Sequence, residues 1–287
     1  MVMKLSYDVP TPLDYFASLV QSDGNFALFE AAVSLAQDEY PELDVQAVLG
    51  DVDKLLERIR RRLPADAGQL QRLRALNQFF FRDLSFGGNV NNYYAPDNSF
   101  VHALLRTRRG IPISLALLWM ELAQGLGLSV SGIGFPGHFM LKINLPMGQA
   151  VIDPMTGQSL SSEELSERLE PFRKRNSISQ ADDMEAPLGL YLQSAPPREI
   201  IARMLHNLKE IYRTQEDWPR MLSVQERLIV LLPESWPEYR DRGLAHAELG
   251  NTEQALADLE CYLVHTEDLL DVNAIAERVD ALRRDHS

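Results

Sequence analysis

Three residues stand in an order that can carry acyl-transfer chemistry. Ser114 lies in RRGIPISLALLWMELAQGLGL (108–128), just after Gly110 and Pro112. Proline favours the first position of a helix, so the hydroxyl falls in the first turn. Unpaired backbone N–H groups and the positive dipole end gather there, as a nucleophile or an oxyanion requires. His138 opens HFMLKINL 24 residues later, and Asp153 closes QAVID 15 residues after that. On neighbouring antiparallel strands the two can stand side by side, the imidazole as base and the carboxylate as its orienter. Each residue also has a plainer use: Ser114 as a helix cap, His138 as a turn or core side chain, and Asp153, before Pro154, as a turn initiator. Taken together, in this order, they point to a triad.

Helices and short strands must position these groups. The first 85 residues read as helical. Leu43, Val45, Val48, Leu49, Val52, Leu55, Leu56, Ile59 and Leu63 recur at steps of three and four, and Arg58, Arg60, Arg61 and Arg62 close that helix where cations suit its C-terminal end. The helix after Pro112 is apolar on most sides and should be buried. Strand signals appear only at 128–134, 138–145 and 149–153, separated by Gly and Pro turns, which predicts an antiparallel meander packed on helices. GIGFPG (132–137) matches a dinucleotide-binding pattern, but a strand follows it where that site needs a helix. The polar stretch SFGGNVNNYYAPDNS offers Asn91, Asn92, Tyr94 and Asn98. They serve either as turn formers or as a substrate-binding loop folded over Ser114 and His138. Arg106, Arg108 and Arg109 read as helix-end cations in preference to an anion clamp.

Beyond a Pro- and Ser-rich linker, a 34-residue shift lays Leu205 on Tyr239, Tyr212 on His246, Met221 on Ala255 and Leu228 on Tyr262. The second copy has Gly243 where paired helices approach and Gly250 at the turn, whereas the first has Lys209 and Glu216 there. This spacing resembles the tetratricopeptide repeat, with a capping helix over 273–284. The expected fold is therefore α+β. N-terminal helices and a core with a small antiparallel sheet fill 1–175, a linker follows at 176–199, and α-helical repeats with their capping helix occupy 200–287.

GIPISLALLWMELAQGLGL, GIGFPGHFMLKI and VIDPMTG, preceded by GGNVNNYYAPDNSFVHALLRTRRGIPISL, resemble the transglutaminase-like fold, which is papain-like, and more closely its bacterial SirB-type branch. That family joins a transglutaminase-like domain to tetratricopeptide repeats, and its members carry a regulatory name. The resemblance puts Ser114 where active enzymes have cysteine, His138 on their histidine and Asp153 on their aspartate. A cysteine at a helix start ionises readily, whereas a serine hydroxyl must lose its proton during attack. Two functions follow. One is a regulatory or adaptor protein acting by protein–protein binding, and the other a serine-dependent amidase or peptidase using Ser114, His138 and Asp153. Cys261, in the second helix of a repeat, is expected to be a buried structural thiol.

The 287 residues carry 28 basic and 41 acidic side chains, a net charge of -13, and one cysteine. This field opposes nucleic acid and anionic membranes. No apolar run reaches the roughly 20 residues of a membrane helix, and the N-terminus lacks a leader's apolar core. A cytoplasmic protein with no cofactor and no metal is expected. Residues 234–287 hold 13 acids against 5 bases, which suits a basic or amphipathic peptide partner on the repeats.

Overall fold

The computed structural model describes residues 10–22, 26–176, 187–267 and 270–286. Its contacts separate two units, Met1–Leu43 with Ile201–Ser287, and Asp44–Ile200. In the first, α1 (Pro12–Val20) starts in a capping box. Thr11 Oγ1 accepts the Asp14 N–H, and the Asp14 carboxylate accepts the Thr11 N–H. Next comes α2 (Leu28–Ser34), which tightens into a 3-10 turn at Leu35–Asp38.

The second unit holds the three triad positions. In α3 (Val45–Arg60), Val45, Val48, Val52, Leu55 and Ile59 form the buried stripe that the three- and four-residue steps require. Then α4 (Gln69–Asn77) runs into a π-helical turn at Gln78–Asp83. A two-residue strand, β1 (Gly87–Gly88), pairs in parallel with β2 (Arg109–Gly110) across the intervening α5 (Val101–Thr107). The central helix, α6 (Pro112–Gly125), buries every side chain from Pro112 to Met120. At roughly 1.5–3 kcal/mol per large apolar side chain, that burial makes it the spine of the unit. Its C-terminal carbonyls are capped from outside: Arg60 donates to Gly125 O and Arg72 to Leu126 O, both 2.8–2.9 Å. These arginines meet the negative end of a helix other than their own.

The sheet has the order β3 (Ser129–Ile133), β4 (Met140–Leu145), β5 (Gly148–Ile152) and β6 (Ser159–Leu160), antiparallel throughout. It is the expected meander plus one short strand. Ile133, Phe135, Met140 and Val151 pack with Leu165 and Leu169 of α7 (Ser162–Asn176). Part of the expected 176–199 linker, residues 177–186, lies outside the described residues. The remainder is built into the core: Leu188, Tyr191 and Leu192, in and just after α8 (Leu188–Tyr191), pack on the same cluster. Ala195 N–H then bonds the edge of β3 at Gly132 O.

The repeats form α9 (Pro197–Thr214), α10 (Trp218–Leu231), α11 (Trp236–Glu248) and α12 (Thr252–His265), with α13 (Val272–His286) packed on α12. Gly243 is the close approach: a Cβ there would fall 2.8 Å from Leu259 Cγ. At the turn, Gly250 has φ +74° and Glu216, its counterpart, φ +55°, so the first copy keeps the left-handed turn without glycine. Lys209, at the other glycine position, is buried and bonds Glu238 and Asp241 at 2.7 and 2.5 Å. The expected boundaries follow chain order, whereas α1 and α2 group by contact with the repeats. Here α1 packs on α10, and Arg227, 1% exposed, lies over the Phe16 ring and forks onto Asp38 at 2.6 and 2.9 Å.

Candidate functional site

Glycine and proline set the first half of the site. Pro112 is the first residue of α6 and Ser114 the third. The Ser114 hydroxyl donates to Asn98 O at 2.6 Å, lies 3.1 Å from Ile111 O, and accepts the Ile111 N–H at 3.1 Å. It is 0% exposed. Gly110 faces it so closely that a Cβ there would come within 2.6 Å of Ser114 Oγ. The side chain thus closes the start of α6 onto the preceding turn, as the third residue of a capping box does.

Asn98 ties the polar loop to this point. Its side-chain amide donates to Asn92 O and Tyr93 O, and its Oδ1 accepts from Asn89. It is 3% exposed, whereas Asn91, Asn92 and Tyr94 form the exposed tip, Tyr94 at 74%. Of the four loop residues, one organises the loop from beneath and three face outward.

The second half is built on the sheet and α7. His138 lies in the turn two residues before β4, its N–H bonded to Phe135 O. Gly137 precedes it at φ +67°, with the Phe172 ring where a Cβ would go. Asp153 follows β5, and the loop folds back through Gly157 N–H to Asp153 O at 2.7 Å. His138 Nε2 lies 3.1 Å from Asp153 Oδ1, which also accepts the Met155 N–H at 2.9 Å, and Asp153 Oδ2 accepts Arg168 Nη1 at 3.1 Å. Burial pushes this carboxyl upward. The bonds from His138 and Met155, the His138 charge and the Arg168 bond outweigh that and bring its pKa down to about 2. Arg168 comes from α7, one turn before Phe172. No pattern in that polar helix marks it, so the sequence reading missed it.

The structure therefore joins His138 to Asp153 and adds Arg168, while the hydrogen bonds of Ser114 run to Asn98 and Ile111. In the tautomer that carries its proton on Nε2, toward Asp153, the acceptor nitrogen of the imidazole is Nδ1. Between the halves, the Met155 side chain covers the face of Gly88, where a Cβ would meet its Cε at 2.0 Å. A cleft of about 350 Å³, lined by Gly134, Pro136, Leu190, Tyr191 and Glu199 among others, begins on the turn that carries His138. Among the described residues no cluster of His, Cys, Asp and Glu has a metal-binding arrangement. Cys261 is partly exposed on α12 rather than buried.

Residues 46–206 match the transglutaminase-like superfamily model, and residues 208–280 match a tetratricopeptide-repeat model. The chain belongs to the transglutaminase-like superfamily. Proteins similar to this superfamily member include bacterial UPF0162 proteins. That of Xylella fastidiosa (strain Temecula1) is 36% identical over 84% of each chain. That of Pseudomonas aeruginosa is 28% identical over 89% of this chain and 91% of its own. UPF0162 protein YchA of Escherichia coli (strain K12) is 30% identical over 79% of each. No solved structure gives a significant match. Among the described residues, no helix of this transglutaminase-like protein is long and apolar enough to cross a membrane.

Proposed function

We propose that this chain is a cytoplasmic protein of the SirB-type branch that acts by binding protein partners in a regulatory or adaptor role. In this reading Ser114 holds the position of a lost nucleophilic cysteine and has become structural. The observation that carries it is the Ser114 hydroxyl, buried and donating to the Asn98 carbonyl at 2.6 Å. A peptide carbonyl can hold that proton but cannot take it, so the oxygen gains no nucleophilicity from its partner. Binding then falls to the repeats, which commonly mediate protein interactions, and to the exposed loop tip of Asn91, Asn92 and Tyr94. On the repeats, Asp241, Glu248, Asp258, Glu260 and Asp271 are paired with arginines. A basic peptide would therefore meet fewer free carboxylates than the sequence count suggests.

A serine amidase remains the second reading, favoured by the oriented His138–Asp153 pair. It requires Ser114 to leave Asn98 O, give its proton to His138 Nδ1 and attack a carbonyl. The readings separate in affinity capture with the tagged full chain. The binding role predicts the same partners, held equally well, by wild type, Ser114→Ala and His138→Ala, and their loss on Gly243→Val, which splays α11 from α12. Partners lost with His138→Ala but kept by Gly243→Val would contradict it.

A further inference from the structure

The acidic net charge hides a basic island. Residues 58–109 contain ten arginines, no lysine and three acids, a net +7 in a chain of -13, which leaves -20 on all other residues. Several of these arginines converge in space. The Arg58 and Arg62 guanidinium carbons stand 5.2 and 4.8 Å from the Phe79 ring centre, and that of Arg108 stands 4.6 Å from Phe86. Phe86 in turn stacks on Phe80 at 4.4 Å, and the Arg58 charge reaches Arg108, so the two groups are neighbours. Arg82 lies between these rings in sequence, and Arg109 is anchored by its Nη1 on Ser85 O at 2.5 Å.

This cluster is poorly neutralised from within. Asp83 pairs with Arg62. Among the described residues Arg82 makes no ion pair, and the Arg109 guanidinium donates only to backbone carbonyls. Arg108 adopts φ +61°, a strained setting for a residue with a Cβ, and its buried Nη1 has no hydrogen-bond partner among the described residues. Burial, and then the nearby Arg58 charge, lower the Arg108 pKa, as expected where like charges crowd together. Arg58, Arg62, Arg82 and Arg109 are all exposed.

We infer that this arginine face docks a carboxylate-rich segment of a partner protein, beside the β1–β2 ladder that backs Ser114. Guanidinium forks match carboxylates in two-point geometry, and their flat faces are already held on the Phe rings. The face is local, whereas a nucleic acid would extend its phosphates over a chain that is otherwise at -20. The inference rests on the binding role proposed above. It locates a second surface, separate from the repeats, for partners of opposite charge.

The test is fluorescence anisotropy with the full chain, using a labelled glutamate-rich peptide and a labelled oligo(dT) of matched charge. The expected result is peptide binding that weakens with added salt and falls by at least about tenfold in Arg58→Glu/Arg62→Glu. Arg278→Glu/Arg283→Glu on α13 should bind as wild type does. Absent peptide binding, equal loss in both double variants, or oligo(dT) binding more tightly than the peptide through Arg58 and Arg62 would each overturn the inference. Circular dichroism of each variant separates loss of contact from loss of fold. Because Ser114 chemistry does not enter this readout, failure here is distinguishable from failure of the non-catalytic reading.

Discussion

Replacing Asp153 by asparagine removes the charge that His138, Met155 N–H and Arg168 jointly hold, while keeping the side chain's shape. The carboxyl is depressed from 3.8 to about 2, which is about 2 kcal/mol of stability linked to its ionisation. Because the folded pKa lies below the unfolded one, that stability is fully present above about pH 4 and is lost as pH falls through about 2. The variant has no such titration. The stability gap between wild type and Asp153→Asn should therefore shrink by about 2 kcal/mol between about pH 5 and pH 2, a window below the ordinary histidine range. Urea unfolding followed through Trp119 reads this directly, in a background of Trp218→Phe and Trp236→Phe. Trp119 is buried in α6 of the same unit, with its indole N–H on Asn77. A gap that stays constant down to about pH 2 would refute the picture of Asp153 as an ionised acceptor shared by His138 and Arg168.

Other perturbations probe the remaining links. Ser114→Ala should cost about 1–2 kcal/mol through its lost hydrogen bonds. Ser114→Cys should cost about 1–3 kcal/mol, because the larger sulfur must fit between Gly110 and Asn98 O, and a cysteine variant as stable as wild type would contradict the tightness of that seat. Glu216→Gly should stabilise the repeat unit by about 0.5–1 kcal/mol in thermal melts, since it relieves a left-handed residue at a cost in chain entropy. Arg227→Ala should destabilise by about 3 kcal/mol or more in urea, because a fully buried partner of Asp38 is lost, and a change below about 1 kcal/mol would show that α1 and α2 do not depend on that pair.

What the sequence disclosed was mostly local. Gly110 and Pro112 announced the start of α6 and put Ser114 in its first turn, and alternation between Gly and Pro turns marked β3, β4 and β5. The 34-residue shift even aligned Glu216 with Gly250, two residues that share a positive φ. What escaped was carried by single long-range contacts. Asp38 and Arg227 are 189 residues apart, so no window could group α1 and α2 with the repeats. Arg168 is one arginine in a charged helix, significant only because α7 crosses Asp153. The loop likewise looked uniform in sequence, whereas burial divides Asn98 from Asn91, Asn92 and Tyr94. The charge count misled in a similar way, because net charge averages the arginine island against the acids elsewhere.

The central claim is that Ser114 is a structural residue in a protein that works by binding. Intact-mass measurement after treatment with a fluorophosphonate tests it most directly, on wild type, Ser114→Ala and His138→Ala. A Ser114 hydroxyl held by Asn98 O predicts no adduct on any of the three. Stoichiometric labelling of wild type that disappears in both variants would show an activated serine served by His138 and would contradict the account.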